Sequence, residues 1–222
     1  MRPDQTSGED DYYGELAGHP DRVRAVGWES LAAATERYRV VADLVRGGER
    51  VLDLGAGLGD FGRYLEGREI VVDYLGVERD PRLVARGRAL EPFVRLESGD
   101  FMAMELEVAD VVVVIGALVD GGSLRDGGLR FGRLRRLIAR ARSLARREVA
   151  LVLLDQDRLE ADPIRSLETA LGGLRRAEVP WLFADTPEAR VESVLATDLL
   201  VVVPGTAGRV AFDPTTSGRD GV

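Results

Sequence analysis

Apolar residues along this chain follow two periods in turn. Leu31, Ala34, Tyr38, Val41, Ala42 and Val45 share one face of a helix that Ser30 caps and Gly47-Gly48 ends. Beyond it, strand-like runs alternate with helical stretches. RVLDL (50–54) predicts a strand, 60–66 the start of a helix, DYLGVE (73–78) a strand and Pro81 to Leu90 a helix. FVRLES (93–98) and ADVVVVIG (109–116) predict two further strands. In 130–147, Leu134, Leu137, Ile138, Ala141, Leu144 and Ala145 fall at helical core spacing, and VALVLL (149–154) follows as a strand. Asp162 caps and Pro163 opens a helix reaching Leu174. WLFAD (181–185), VESVLA (191–196) and LLVVVP (199–204) read as strands, the last two forming a hairpin across Thr197-Asp198.

Strands alternating with helices predict an α/β fold, doubly wound, with a mainly parallel sheet covered by helices on both faces. Residues 1–29 lack periodicity and are expected to form an N-terminal arm, 30–212 the domain, and 213–222 a disordered tail. The longest apolar run, VVVVIGALV at 111–119, is too short to cross a bilayer, and no membrane association is expected. MRPDQTSGEDDYYGELAGHPD is polar and acidic without an apolar core segment, so the expected location is cytoplasmic.

Composition then removes several chemistries. There is no cysteine, which excludes disulfides and thiolate-metal sites. With His19 the single histidine, a zinc site would have to be built from carboxylates, and no metal is expected. All 30 basic residues are arginine, asparagine is absent and isoleucine occurs four times, a bias expected of a GC-rich genome. The net charge of −8 argues against binding nucleic acid or anionic membrane with the whole surface. Residues 125–147 break that trend, with nine arginines and one acid, Asp126. Their apolar residues take the core stripe and the arginines the remainder, the pattern of a solvated helix.

The chemistry concentrates in VLDLGAGLGDFG. Gly57, Gly59 and Gly62 have the G-x-G-x-x-G spacing of a dinucleotide-binding turn, whereas Asp53, Gly55, Gly57 and Gly59 read D-x-G-x-G-x-G, the opening of an S-adenosylmethionine site. A pyrophosphate wants backbone N–H groups at the helix start and no fixed anion beside them. Asp53 and Asp60 put two carboxylates there, and a carboxylate suits the ammonium of an amino acid end, which favours the count from Asp53. Glu78, 25 residues later at the second strand's end and followed by Arg79, can accept two ribose hydroxyls in either cofactor class. Asp100 and Phe101, after the third strand, suit an adenine amino group and ring, and Ile115-Gly116 closes the fourth strand with small and backbone surface.

VLDLGAGLGD, YLGVERD, SGDF and ADVVVVIGAL in this order resemble the stations of class I S-adenosylmethionine-dependent methyltransferases over roughly residues 30–155. The resemblance implies a Rossmann-like seven-stranded sheet and S-adenosyl-L-methionine held by Asp53, Gly55, Ala56, Gly57, Glu78, Arg79, Asp100, Phe101, Ile115 and Gly116. HPDRVRAVGW with ERYR further resembles the leader of a small bacterial group of unassigned substrate. That likeness implies that Trp28 and Arg37 close over the cofactor, Arg37 pairing with its carboxylate. The alternative leaves Trp28 a core anchor and Arg37 a solvated helix charge.

In-line methyl transfer from a sulfonium needs positioning and desolvation, and a base only for a protonated acceptor. His19 is the candidate base by its ordinary pKa, against a reading as a surface histidine without a role. Tyr12, Tyr13 and Asp120 are further residues for the acceptor side. IGAL lacks the acid or Asn, two prolines and aromatic of amino-methyltransferases acting on DNA bases, and no cysteine exists for thiolate attack on a pyrimidine. A small-molecule acceptor is therefore expected. Two alternatives stay open, a nicotinamide-dependent oxidoreductase using Gly57, Gly59 and Gly62, and a non-catalytic subunit that binds the cofactor.

Overall fold

The computed structural model describes residues 16–116, 127–155, 157, 175–184, 186, 188–193 and 198–208. A short helix α1 (Arg22–Ala25), capped by the Asp21 carboxylate on the N–H groups of Val23 and Arg24, precedes α2 (Leu31–Ala42). Ser30 caps α2 as its sequence predicts, its hydroxyl accepting from Ala33 N–H. There follow β1 (Arg50–Leu54), α3 (Asp60–Gly67), β2 (Asp73–Glu78), α4 (Pro81–Leu90), β3 (Leu96–Ser98), β4 (Ala109–Ile115), α5 (Gly127–Leu144), β5 (Ala145–Leu154), α6 (Val179–Leu182), β6 (Arg190–Ser193) and β7 (Asp198–Pro204).

The strands form one seven-stranded sheet in the order β3-β2-β1-β4-β5-β7-β6. The first five are parallel, and β7 runs antiparallel to both β5 and β6. β4 shows why the central strands read as unbroken apolar runs. Val112 and Val114 pack with Leu137, Ile138, Ala141 and Leu144 of α5, while Val111, Val113 and Ile115 pack with Ala34, Tyr38 and Val41 of α2 and Phe61 and Leu65 of α3. Both faces are dry, so alternation with polar residues is not needed. The chain order reverses between β1 and β4, and the crevice beyond the carboxyl ends of such strands is where open α/β sheets take ligands.

Three predicted elements come out differently. The strand predicted at WLFAD is replaced by a helix; its first residues belong to α6, where Pro180 stands in the first turn, and Leu182 and Phe183 are both buried. The third strand is confined to Leu96–Ser98, with Phe93 exposed. The helix before β5 ends at Leu144, and its terminal carbonyls are taken by the chain after β7, with Thr206 N–H on Arg142 O and Ala207 N–H on Ala145 O. The helix predicted from Asp162, the turn residue Thr197, the tail 213–222, and Tyr12, Tyr13 and Asp120 lie outside the described residues. Among the described residues no helix is long and apolar enough to cross a membrane, and no cluster suited to a metal ion occurs.

Candidate functional site

β1 lies between β2 and β4 and leaves the sheet through a loop with Gly55, Gly57 and Gly59 at φ 82°, 56° and 78°. Three left-handed residues in five curl the backbone into a cradle that side chains would not permit. The N–H groups of Gly55 and Ala56 turn back to Val77 O (2.8 and 3.1 Å), which fixes the loop against β2. Gly62, third in the dinucleotide spacing, has a reason to lack a side chain that involves no ligand. A Cβ there would stand 2.7 Å from the Tyr74 ring.

Three carboxylates surround this loop. Glu78, at the end of β2, takes Gly57 N–H on one oxygen and Asp80 N–H on the other, both at 2.9 Å. Asp53 is 2% exposed and accepts the Tyr74 hydroxyl at 2.7 Å. Burial pushes its pKa from 3.8 up to about 7, against the pull of the Tyr74 hydrogen bond, and the charges of Glu78 and Asp60 add to the rise. Among the described residues, the groups that act most on Asp53 are the Tyr74 hydroxyl and these two carboxylates. A buried carboxylate with two acidic neighbours and a single hydroxyl donor fits a ligand ammonium. Asp60, in the first turn of α3, is satisfied differently, by Arg22 and by Arg63 at 3.7 Å; these arginines also reach Glu91, at 3.1 and 3.4 Å.

β3 brings the next pair alongside. Ser98 lies in register with Glu78, and Gly99 N–H donates to Glu78 O at 2.9 Å. Asp100 then starts a single helical turn, its Oδ1 accepting Met102 N–H (2.8 Å) and its carbonyl accepting from Ala103 and Met104. Phe101 and Met104 are half-buried against the α5 side of the core. Arg79 is exposed.

At the end of β4, Gly116 has φ 76° and the Trp28 ring lies on it, 2.4 Å from where a Cβ would be. The Arg37 guanidinium stands 4.8 Å over that ring. Arg37 is 5% exposed, so it is not a solvated helix charge. Its Nε and Nη2 grip the two oxygens of buried Asp198 at 3.1 and 2.6 Å, and Nη1 donates to Ala33 O. The fork expected to meet a cofactor carboxylate thus already holds a carboxylate of the protein. His19 is half-buried in the arm; Nδ1 accepts Asp21 N–H and its carbonyl accepts from Arg86.

The arm itself crosses the site. Val26 stands over Gly57, where a Cβ would meet it at 2.8 Å, and Ala17 and Ala25 pack on Leu58. Trp28 reaches Gly116 on the other side of the crevice. Sequence reasoning missed Tyr74, Val26 and Asp198. Only Tyr74 left a local signal, since parallel pairing of β1 and β2 sets it opposite Val51, two residues before Asp53 on the same face.

No protein-family model and no curated protein matches the chain. Solved structures do. The PH0226 protein of Pyrococcus horikoshii is similar over 88% of this chain and 98% of its own, with a TM-score of 0.62 and 16% identity. The N-methyltransferase NodS of Bradyrhizobium japonicum, solved with S-adenosyl-L-homocysteine, covers 88% and 97% with a TM-score of 0.60 and 12% identity. A TehB-like SAM-dependent methyltransferase of Corynebacterium glutamicum covers 88% and 96% at 0.51 and 18%. The chain has the class I methyltransferase fold. In that fold the cradle of Gly55, Gly57 and Gly59, the paired ends of β2 and β3, and the Gly116 turn of β4 all border one crevice.

Proposed function

We propose that this protein is a cytoplasmic S-adenosylmethionine-dependent methyltransferase that serves a small-molecule acceptor by in-line methyl transfer. The observation that carries the reading is Asp53, a carboxylate buried at the end of β1 that accepts the Tyr74 hydroxyl and lies near the charges of Glu78 and Asp60. Asp53 would hold the ammonium of the amino acid end, with Tyr74 fixing the carboxylate's orientation. Glu78 has both oxygens already aimed by the N–H groups of Gly57 and Asp80, and their remaining lone pairs suit two ribose hydroxyls. With Oδ1 of Asp100 engaged by Met102 N–H, its other oxygen would receive an adenine amino group. When bound, S-adenosylmethionine supplies a methyl group on a positively charged sulfur, with a neutral leaving group. The chain's share is then to orient, to exclude water with Trp28 and Val26, and to leave a path for the acceptor. The nicotinamide alternative would set a pyrophosphate near Asp53 and Glu78, which their charge disfavours.

The test is thermal unfolding with S-adenosylhomocysteine and, separately, with NAD and NADP. A ligand at about 100 times its Kd stabilises by about 2.7 kcal/mol, several degrees for a domain of this size. A shift with S-adenosylhomocysteine alone supports the reading; a shift with the nicotinamide cofactors alone, or none at all, overturns it. In the same titration Glu78→Ala is expected to weaken S-adenosylhomocysteine by about 1.5–3 kcal/mol, the loss of a charged hydrogen-bond acceptor. An unchanged affinity in the folded variant would remove Glu78 from the site.

A further inference from the structure

Nine arginines in 125–147 have from the sequence the pattern of a solvated helix, yet Arg140 departs from it. It is half-buried, and its guanidinium reaches across from α5 to the turn that follows β3. Nε donates to Phe101 O at 3.1 Å and Nη2 to Met104 O at 2.5 Å. These two carbonyls belong to the turn that Asp100 begins, and a single turn is too short to give them partners of its own. The turn is therefore closed at both ends by charge, the Asp100 carboxylate on Met102 N–H and the Arg140 fork on the carbonyls. Apolar contact continues the link, since Phe101, Met104 and Leu106 lie against the core cluster that includes Leu137, Ile138 and Ala141 of α5.

We infer that Arg140 is a positioning residue for recognition of the adenine base: it never touches the ligand, but it holds the turn that aims Asp100 and Phe101. The inference rests on the cofactor reading above. Asp100 is exposed and stands in a six-residue stretch, Gly99 to Met104, without regular secondary structure, so its carboxylate is only as well placed as that turn. Among the described residues the Arg140 fork supplies two side-chain hydrogen bonds tying the turn to a long helix.

A residue that merely stabilised the fold would weaken every ligand alike. A residue that positions Asp100 sets the preference for an exocyclic amino group over a carbonyl. The experiment measures affinity of the full chain for S-adenosylhomocysteine and for S-inosylhomocysteine, which differs at that group. The wild-type protein is expected to prefer the adenine form by about tenfold or more, the worth of one hydrogen bond to a charged acceptor. Arg140→Ala should bring the ratio to within about threefold of unity, and Arg140→Lys, which can serve one carbonyl, should lie between. Arg142→Ala is the control, because Arg142 ties α5 instead to Pro204 O and Thr186 and should keep the wild-type ratio. A preference that survives in Arg140→Ala, or falls equally in Arg142→Ala, overturns the inference while leaving the cofactor reading intact. A wild-type chain that binds neither ligand overturns the cofactor reading and this inference with it. If Arg140→Ala does not fold, the ratio for Arg140→Lys and the amide exchange of Ala103 and Met104 in it decide: an unchanged ratio with unchanged exchange overturns the inference.

Discussion

Asp53 is a carboxylate kept from water by the sheet around it, and its ionisation costs the free protein stability. An acid whose folded pKa, about 7, stands above its unfolded 3.8 holds its proton more tightly in the folded state. Its cost is therefore absent below about pH 4, grows as pH rises, and is complete above about 7, where the gap corresponds to on the order of 4 kcal/mol. Asp53→Asn should accordingly raise the Tm at pH 8 and leave it little changed at pH 4, while weakening S-adenosylhomocysteine. Equal thermal shifts at both pH values would show that Asp53 is not charged in the free protein at pH 8. The ligand side has the opposite sign. A ligand ammonium needs the ionised carboxylate, so affinity should rise by up to about tenfold per pH unit from 5 to 7 and flatten above, a slope that calorimetry should find absent in Asp53→Asn. The residue that functions worst for folding is thus the one best prepared for a cation, a trade typical of binding sites.

At the level of elements, α3 rests on β2 through Gly62 and the Tyr74 ring, the same tyrosine whose hydroxyl holds Asp53. Gly62→Ala would set a methyl 2.7 Å from that ring. Overpacking of this kind costs about 1–3 kcal/mol, against a gain of about 1 kcal/mol in helix propensity. Gly67→Ala, at the end of the same helix with open space around it, should cost nothing or stabilise. Urea denaturation of both should give opposite or clearly unequal shifts, and equal ones would mean that α3 can slide off Tyr74 freely. The elements themselves were largely legible. α4 runs from Pro81 to Leu90 as predicted, and β1, β2 and β4 lie where their strand-like runs stand. The placement of Asp53, Glu78, Asp100 and the glycines at or just beyond strand ends was legible too. WLFAD was not, since three apolar residues in a row fit a buried strand and a short helical face equally until packing chooses. Nor were the partners of Arg37 and Arg140, which depend on contacts between distant segments.

Among the described residues one such tie joins Arg37 of α2 to Asp198 at the start of β7, 161 residues apart. It joins the helix beside the arm to the strand that turns an otherwise parallel sheet antiparallel. Both side chains are almost fully buried, and Trp28 lies beneath the guanidinium, so the pair also sets where the arm meets Gly116. Desolvating two charges consumes most of what their attraction returns, but removing either one takes from the other, in a dry site, the opposite charge that this pair supplies. Arg37→Met or Asp198→Leu alone should therefore lose about 3–5 kcal/mol of stability, while the double variant should recover most of that loss. A denaturant-based double-mutant cycle reads the difference directly. Recovery in the double variant would mean that the pair acts through charge compensation, and that its position is set by the need to register α2 and the arm against the last strand. Losses that simply add would mean instead that Arg37 contributes by packing, through its stack on Trp28 and its bond to Ala33 O, and that Asp198 is held in β7 independently of it.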